Sequence, residues 1–197
     1  ASVMAFLSSQ YKRNTFKMLT FTAVTEQVSR LLSKNEIEAI LLKGPALAHV
    51  LYGDLSHRTS ADVDFLVPLD KLEETEQLLL QHGYIKDEYI QTVLNDWKWR
   101  HHHYTYTHPQ QNVKVEIHWR LHPGPGKEPA FQELWARKSR STLTDFPVYL
   151  LGKEDLFLFL TSHGARHGWS RLRWLADIQY LLKEQPDWKQ IMKAEQY

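Results

Sequence analysis

Ser60-Ala61-Asp62-Val63-Asp64-Phe65-Leu66-Val67 carries the reading of this chain. Apolar and acidic residues alternate in it, which predicts a strand over 61–67 with Val63, Phe65 and Val67 on one face and Asp62 and Asp64 on the other. Pro68 closes that strand. Residues two apart in a strand point the same way, with backbones roughly 6 to 7 Å apart, so the two carboxylates can converge on one cation. Left without a cation they repel and one pKa rises; a divalent ion removes that penalty. Oxygen ligands of this kind favour Mg2+ or Mn2+ over zinc. The plainer alternative is the wet face of an edge strand.

Upstream, the apolar run from Ile37 to Leu42 meets Lys43-Gly44-Pro45, which reads as strand, turn and helix start, with a short helix from Pro45 to Leu51 ending near Gly53. A helix N-terminus presents free N–H groups and a positive dipole to phosphate, and Arg58 and Ser60 offer further donors beside the aspartates. Apart from the aspartates, Lys43-Gly44 would be an ordinary turn and Arg58 a solvated loop cation. From about Tyr11 to Lys34, Phe16, Leu19, Val24, Val28, Leu31 and Leu32 recur at helical spacing.

Downstream, Asp70 and Glu73 fit a capping box, predicting a helix from Asp70 to His82 that ends at Gly83, with the Lys71 to Glu76 charges on its wet side. His101 to Thr107 and Asn112 to Leu121 alternate around His108-Pro109-Gln110-Gln111, an antiparallel hairpin. Its second arm places Glu116 and His118 on one face. Beside the aspartates, Glu116 makes a third carboxylate, enough to hold two ions about 3.5 to 4 Å apart for an in-line phosphoryl displacement.

Past Pro123-Gly124-Pro125-Gly126, a strand near Val148 to Leu151 and helices from about Glu154, Arg171 and Asp187 follow. The fold class is α+β: a mixed sheet flanked by helices, with an N-terminal helical segment (1–34), a core (35–152) and a C-terminal helical part (153–197) packed on it. If Ser162 to Ile178 were one helix, His163, His167, Trp174 and Asp177 would share a stripe with Arg171 at its margin. That stripe either closes over the acceptor or base, with His167 and Arg171 on phosphate, or is packing. Asp177 and Trp174 fit packing better. In His101-His102-His103, strand neighbours point to opposite faces, so a pairing strand is expected rather than a chelate. The seven tryptophans are expected mostly in the core.

Bulk composition bounds the rest. A chain of 197 residues, 43% hydrophobic and 24% charged, excludes disordered, collagen-like and coiled-coil classes. A net charge of +1 argues against long nucleic acid as partner, so phosphate chemistry must be local. No cysteine means no disulfide and no thiolate site, which fits the cytoplasm. The longest apolar runs, Val3 to Leu7 and Leu156 to Leu160, fall far short of the ~20 residues of a membrane span, so no membrane is expected. Ala1 in place of methionine and a helical pattern still running at Tyr197 read as a trimmed chain.

Leu42-Lys43-Gly44, Arg58-Thr59-Ser60-Ala61-Asp62-Val63-Asp64, Val115-Glu116-Ile117-His118-Trp119 and His163 with His167-Gly168-Trp169 together resemble the nucleotidyltransferase superfamily of the DNA polymerase beta type. Within it they resemble the bacterial branch described as uncharacterised nucleotidyltransferases. The resemblance runs from about Ile37 to Leu182 and implies a nucleotidyltransferase-like sheet. It implies that Asp62 and Asp64 ligate magnesium bound to a nucleoside triphosphate, that Glu116 joins the metal and helps activate an acceptor, and that Gly44 approaches the phosphates. Lys43, Arg58, Ser60, His118, His167 and Arg171 complete the expected nucleotide contacts. Pro45 departs from the usual serine or second glycine, and the interval from Gly44 to Asp62 is long; Lys43 and Arg58 are expected to substitute for the lost donor.

The expected reaction moves a nucleoside monophosphate from a nucleoside triphosphate to a hydroxyl or phosphate on a small molecule, peptide or protein, releasing pyrophosphate. Sugar transfer from a nucleotide sugar to a phosphorylated peptide, and a non-catalytic nucleotide-binding or antitoxin-like module, are the alternatives.

Overall fold

The computed structural model describes residues 2–88, 101–124 and 126–194. Trp97, Trp99, Pro125 and the last three positions of the C-terminal helical pattern lie outside them. Helix α1 spans Val3–Lys34, starting eight residues before the expected Tyr11, because nothing from Val3 onward breaks a helix and Ser2 Oγ caps it by accepting from Ala5 N–H (3.2 Å). Strand β1 (Ile40–Leu41) leads through Gly44 into α2 (Pro45–Tyr52), then β2 (Val63–Leu66). Next come α3 (Leu72–Gln81), β3 (Ile85–Lys86) and the hairpin β4 (His103–His108) and β5 (Val113–His118). The chain finishes with α4 (Phe131–Ala136), β6 (Ser139–Ser141), β7 (Val148–Leu150), α5 (Lys153–Arg166), α6 (Leu172–Lys183) and α7 (Trp188–Ala194).

The seven strands form one mixed sheet in the order β3-β4-β5-β2-β1-β7-β6. β2 runs parallel to β5 and antiparallel to β1, and β7 runs parallel to β1. The two faces are covered differently. Val63, Phe65, Val115 and Ile117 point to a core shared with Phe21, Val24, Val28 and Leu32 of α1 and with Leu72 and Leu79 of α3. Ile40, Leu42 and Leu66 point the other way, into a core with Leu47 and Leu51 of α2, Leu156, Phe159 and Leu160 of α5, and Leu181 of α6. Asp64, Glu116 and His118 lie on this second face, because strand residues two apart share a side.

Two further stretches depart from the sequence expectation. Asp70 caps nothing: Pro68 opens a 3-10 turn over Leu69–Lys71, so α3 starts two residues later with Lys71 as its N-cap and no side-chain cap bond. The stretch 162–178 is two helices rather than one, broken where Gly168 and Trp169 take φ of +61° and +51°. At Gly164 a Cβ would collide with the Trp169 ring, so this glycine lets the turn fold back on α5. Among the described residues no helix is long and apolar enough to cross a membrane.

Candidate active site

Register brings the acidic residues together. β2 and β5 pair so that Asp64 stands opposite Glu116, while His118 stands opposite Leu66 on β2 and His103 on β4. Asp62 precedes the observed strand by one residue and lines, half-buried, the same cavity as Glu116 and His118. This cavity, about 420 Å³, also takes walls from Lys43, Ser60, His102, His103, His163, Arg166, His167 and Arg171.

Asp64 is fully buried. Its Oδ1 receives Lys43 Nζ at 2.9 Å and His118 Nε2 at 3.2 Å, while its Oδ2 has no hydrogen-bond partner. Burial alone would raise its pKa, but Lys43 and His118 overcome that and hold the carboxyl well below the usual range. Asp62 goes the other way: burial first, then repulsion from Asp64, push it up to about 6. Burial works against the Lys43 ammonium, and Asp64 and Asp62 outweigh it, so lysine stays charged above its ordinary range. His118 contacts Glu116 as well, Nε2 to Oε2 at 3.4 Å. These two carboxylates raise its pKa against the effect of burial, and its Nδ1 is buried without a partner.

A buried, unpartnered carboxylate oxygen is rare enough in folded proteins to need an explanation, and a bound cation is one. Asp64, Glu116 and His118 each place a ligand atom within 4.8 Å of the others, and Asp62 adds an oxygen donor at the same cavity. These groups could hold a metal ion, and the carboxylates among them suit a hard one.

Of the other expected contacts, Arg58, Ser60, His167 and Arg171 line the cavity and Gly44 does not. Gly44, with φ +91° and ψ −152°, occupies a region open to glycine alone, and it is buried with its Cα side against the Asp62 carbonyl oxygen. It packs the β1–α2 turn onto the aspartate strand and does not line the cavity. Ser60 Oγ donates to the Asp62 carbonyl oxygen (2.9 Å), fixing the backbone there. Arg58 also lines the cavity but is 3% exposed, with Nε and Nη2 on the Asp177 carboxylate at 3.1 to 3.2 Å, so its guanidinium is paired with α6. Asp177 and Trp174 are buried, as packing residues should be. His167 and Arg171 are exposed at the cavity rim, where the His167 ring lies 5.4 Å and the Arg171 guanidinium 5.8 Å from the Trp174 ring.

Sequence reasoning missed Arg166 and Arg173. Arg166 sits one helical turn from His163, with Nη2 3.4 Å from its Nδ1, a spacing visible in the sequence. Arg173 donates to the Thr59 carbonyl and hydroxyl oxygens at 2.8 and 2.9 Å, which no local pattern signals. It also missed the convergence of His102 and His103. β4 begins only at His103, so His102 precedes the strict alternation and the two rings meet with centroids 4.5 Å apart.

The described fold is similar to that of the lincosamide antibiotic adenylyltransferase LnuA in its lincomycin-bound form, with a TM-score of 0.56 at 19% identity over 79% of this chain and 92% of that one. It is also similar to ANT(2'')-Ia in complex with adenylyl-2''-tobramycin, at TM-score 0.58 and 9% identity over 84% and 89% of the two chains. A third similarity is to an antigenic nucleotidyltransferase-like protein from Paracoccidioides brasiliensis, at TM-score 0.52 and 19% identity over 83% and 75%. No curated protein matches the chain. The family model described as uncharacterised nucleotidyltransferase matches residues 1–197. With its sheet, its acidic cavity and this match together, the chain belongs to the family of uncharacterised nucleotidyltransferases and is a transferase enzyme.

Proposed function

We propose that the protein transfers a nucleoside monophosphate from a nucleoside triphosphate to a hydroxyl group of a small-molecule acceptor, releasing pyrophosphate. The observation that carries this reading is the pairing of Asp64 with Glu116 beside the cavity that Asp62 and Glu116 line, with a buried Asp64 oxygen left unpartnered. A Mg2+ or Mn2+ ion bound by Asp62, Asp64 and Glu116 would neutralise charge on the phosphates as the reaction proceeds.

The chain's own groups divide the remaining work. The bond forming is acceptor oxygen to α-phosphorus; the bond breaking joins that phosphorus to pyrophosphate. Glu116 stands ready to accept the hydroxyl proton, with His118 holding its carboxylate in place. Lys43 supplies positive charge at the cavity floor, while Arg166 and Arg171 supply it at the rim, where a polyphosphate would lie; burial and the neighbouring cations lower the His167 pKa, so that ring offers a neutral donor there. Ser60 and Arg173 fix the backbone that leads into Asp62. Their contribution is positioning, which costs a misplaced nucleophile heavily.

A cavity of about 420 Å³ suits a nucleotide with a compact acceptor, and the net charge of +1 offers little to a long polyanion. Two of the similar structures are an antibiotic adenylyltransferase with lincomycin bound and a complex with adenylyl-2''-tobramycin, which supports a small-molecule acceptor here. The test is a pyrophosphate-release assay with each nucleoside triphosphate, Mg2+ and a panel of polyhydroxylated acceptors. Turnover that disappears in a folded Asp62→Asn variant is expected. Unchanged turnover in that variant overturns the assignment.

A further inference from the structure

Two histidines in the cavity, His102 and His103, have no part in the transfer reaction. With His118 they place their ligand nitrogens within 4.8 Å of one another, beside the carboxylates but chemically unlike them. We propose that these three histidines form a second metal site, for a borderline cation of the Zn2+ class, sharing His118 as its wall with the carboxylate site.

The geometry points there in two ways. His102 Nε2 lies 3.3 Å from His103 Nδ1, and two nitrogens bound to one tetrahedral zinc at 2.0 to 2.1 Å stand about 3.3 Å apart. Two of the rings also have a carboxylate behind them. His118 Nε2 faces Asp64 and Glu116 while its Nδ1 is buried and unpartnered, and His103 Nε2 lies 3.8 Å from Glu116 Oε1 while its Nδ1 faces His102. A carboxylate on one ring nitrogen and a ligand position on the other is how metal-bound histidines are oriented.

Donor type separates the two sites. Imidazole nitrogens select Zn2+, Co2+ or Ni2+, whereas the carboxylates select Mg2+ or Mn2+. Three protein nitrogens leave the fourth position of a tetrahedral ion to water or substrate, on the side of the shared cavity. The nucleotidyl transfer reading does not depend on this site.

The experiment uses the whole chain, stripped with chelator and then held in excess Mg2+, titrated with Co2+ and followed by visible absorption and by metal analysis after dialysis. One Co2+ per chain with intense tetrahedral-type absorption is expected. His102→Ala and His103→Ala, both half-buried positions, should each weaken Co2+ binding by about 100-fold or more, while folded Asp62→Asn keeps the spectrum. Circular dichroism confirms that each variant is folded, and His102→Gln provides the conservative second variant. No Co2+ uptake over Mg2+, or uptake equal in wild type and both folded histidine variants, overturns the site. Uptake abolished by Asp62→Asn but not by the histidine variants also overturns it, because the ion then sits among the carboxylates.

Discussion

Asp64 and Asp177 are both fully buried and both meet a base, yet they are finished differently. Asp177 uses both oxygens: Oδ1 accepts from Tyr52 OH at 2.7 Å and Arg58 Nε at 3.2 Å, and Oδ2 accepts from Arg58 Nη2 at 3.1 Å. Asp64 crowds Lys43 and His118 onto Oδ1 and leaves Oδ2 with nothing. A buried ion pair with every lone pair met is an anchor, here tying α6 to the segment before β2. A pair completed on one side only, behind the cavity wall that Lys43 and His118 form, keeps an unmet demand that a ligand can satisfy. In the proposed reaction the lopsided pair does the chemistry, while the complete pair holds its frame.

Substitutions at the two aspartates should therefore fail in different currencies. The largest effect expected is on turnover: Asp64→Asn should lower pyrophosphate release by on the order of 10³-fold or more, measured at saturating triphosphate. Next, Asp177→Ala strands a buried guanidinium and should cost about 3 to 5 kcal/mol in urea denaturation. A loss below about 1 kcal/mol there would erase the contrast between the pairs. Lys43→Met removes the stronger partner of Asp64 but leaves His118, so about 2 kcal/mol is expected in metal-free buffer, and added Mn2+ should restore part of it. The smallest effect concerns acid. Metal-free Asp62 is held at about 6, so it is protonated below that pH and must lose the proton to ligate. Mn2+ affinity should then be flat above pH 6 and fall by up to about tenfold per unit below it, read by calorimetry.

The difference between the regions also explains what could be read in advance. The aspartate strand, the Lys43-Gly44 turn and the Glu116 arm each carry their signal in a few adjacent residues. Alternation put Asp64 and Glu116 on the polar faces of their strands, and the pairing of β2 with β5 brings those strands side by side. Arg58 could not be read this way, because its partner lies 119 positions away and only the packing of α6 brings it in. The same holds for Arg173 on Thr59. His102 and His103 defeated the strand rule because the strand starts between them. The late histidine stripe assumed one helix, and the rings of His163, His167 and Trp174 do meet, but across the break between α5 and α6. The short edge strand β6, Ser139–Ser141, has too little apolar alternation to announce itself.

The central claim is that Asp62, Asp64 and Glu116 act together to hold a cation beneath a polyphosphate. It is tested most directly by calorimetric titration of a non-hydrolysable nucleoside triphosphate into wild type and a folded Asp64→Asn variant, each with and without Mg2+. The account predicts binding in wild type that strengthens with Mg2+ and a variant in which that strengthening is gone. Triphosphate binding of equal strength in all four titrations would contradict it.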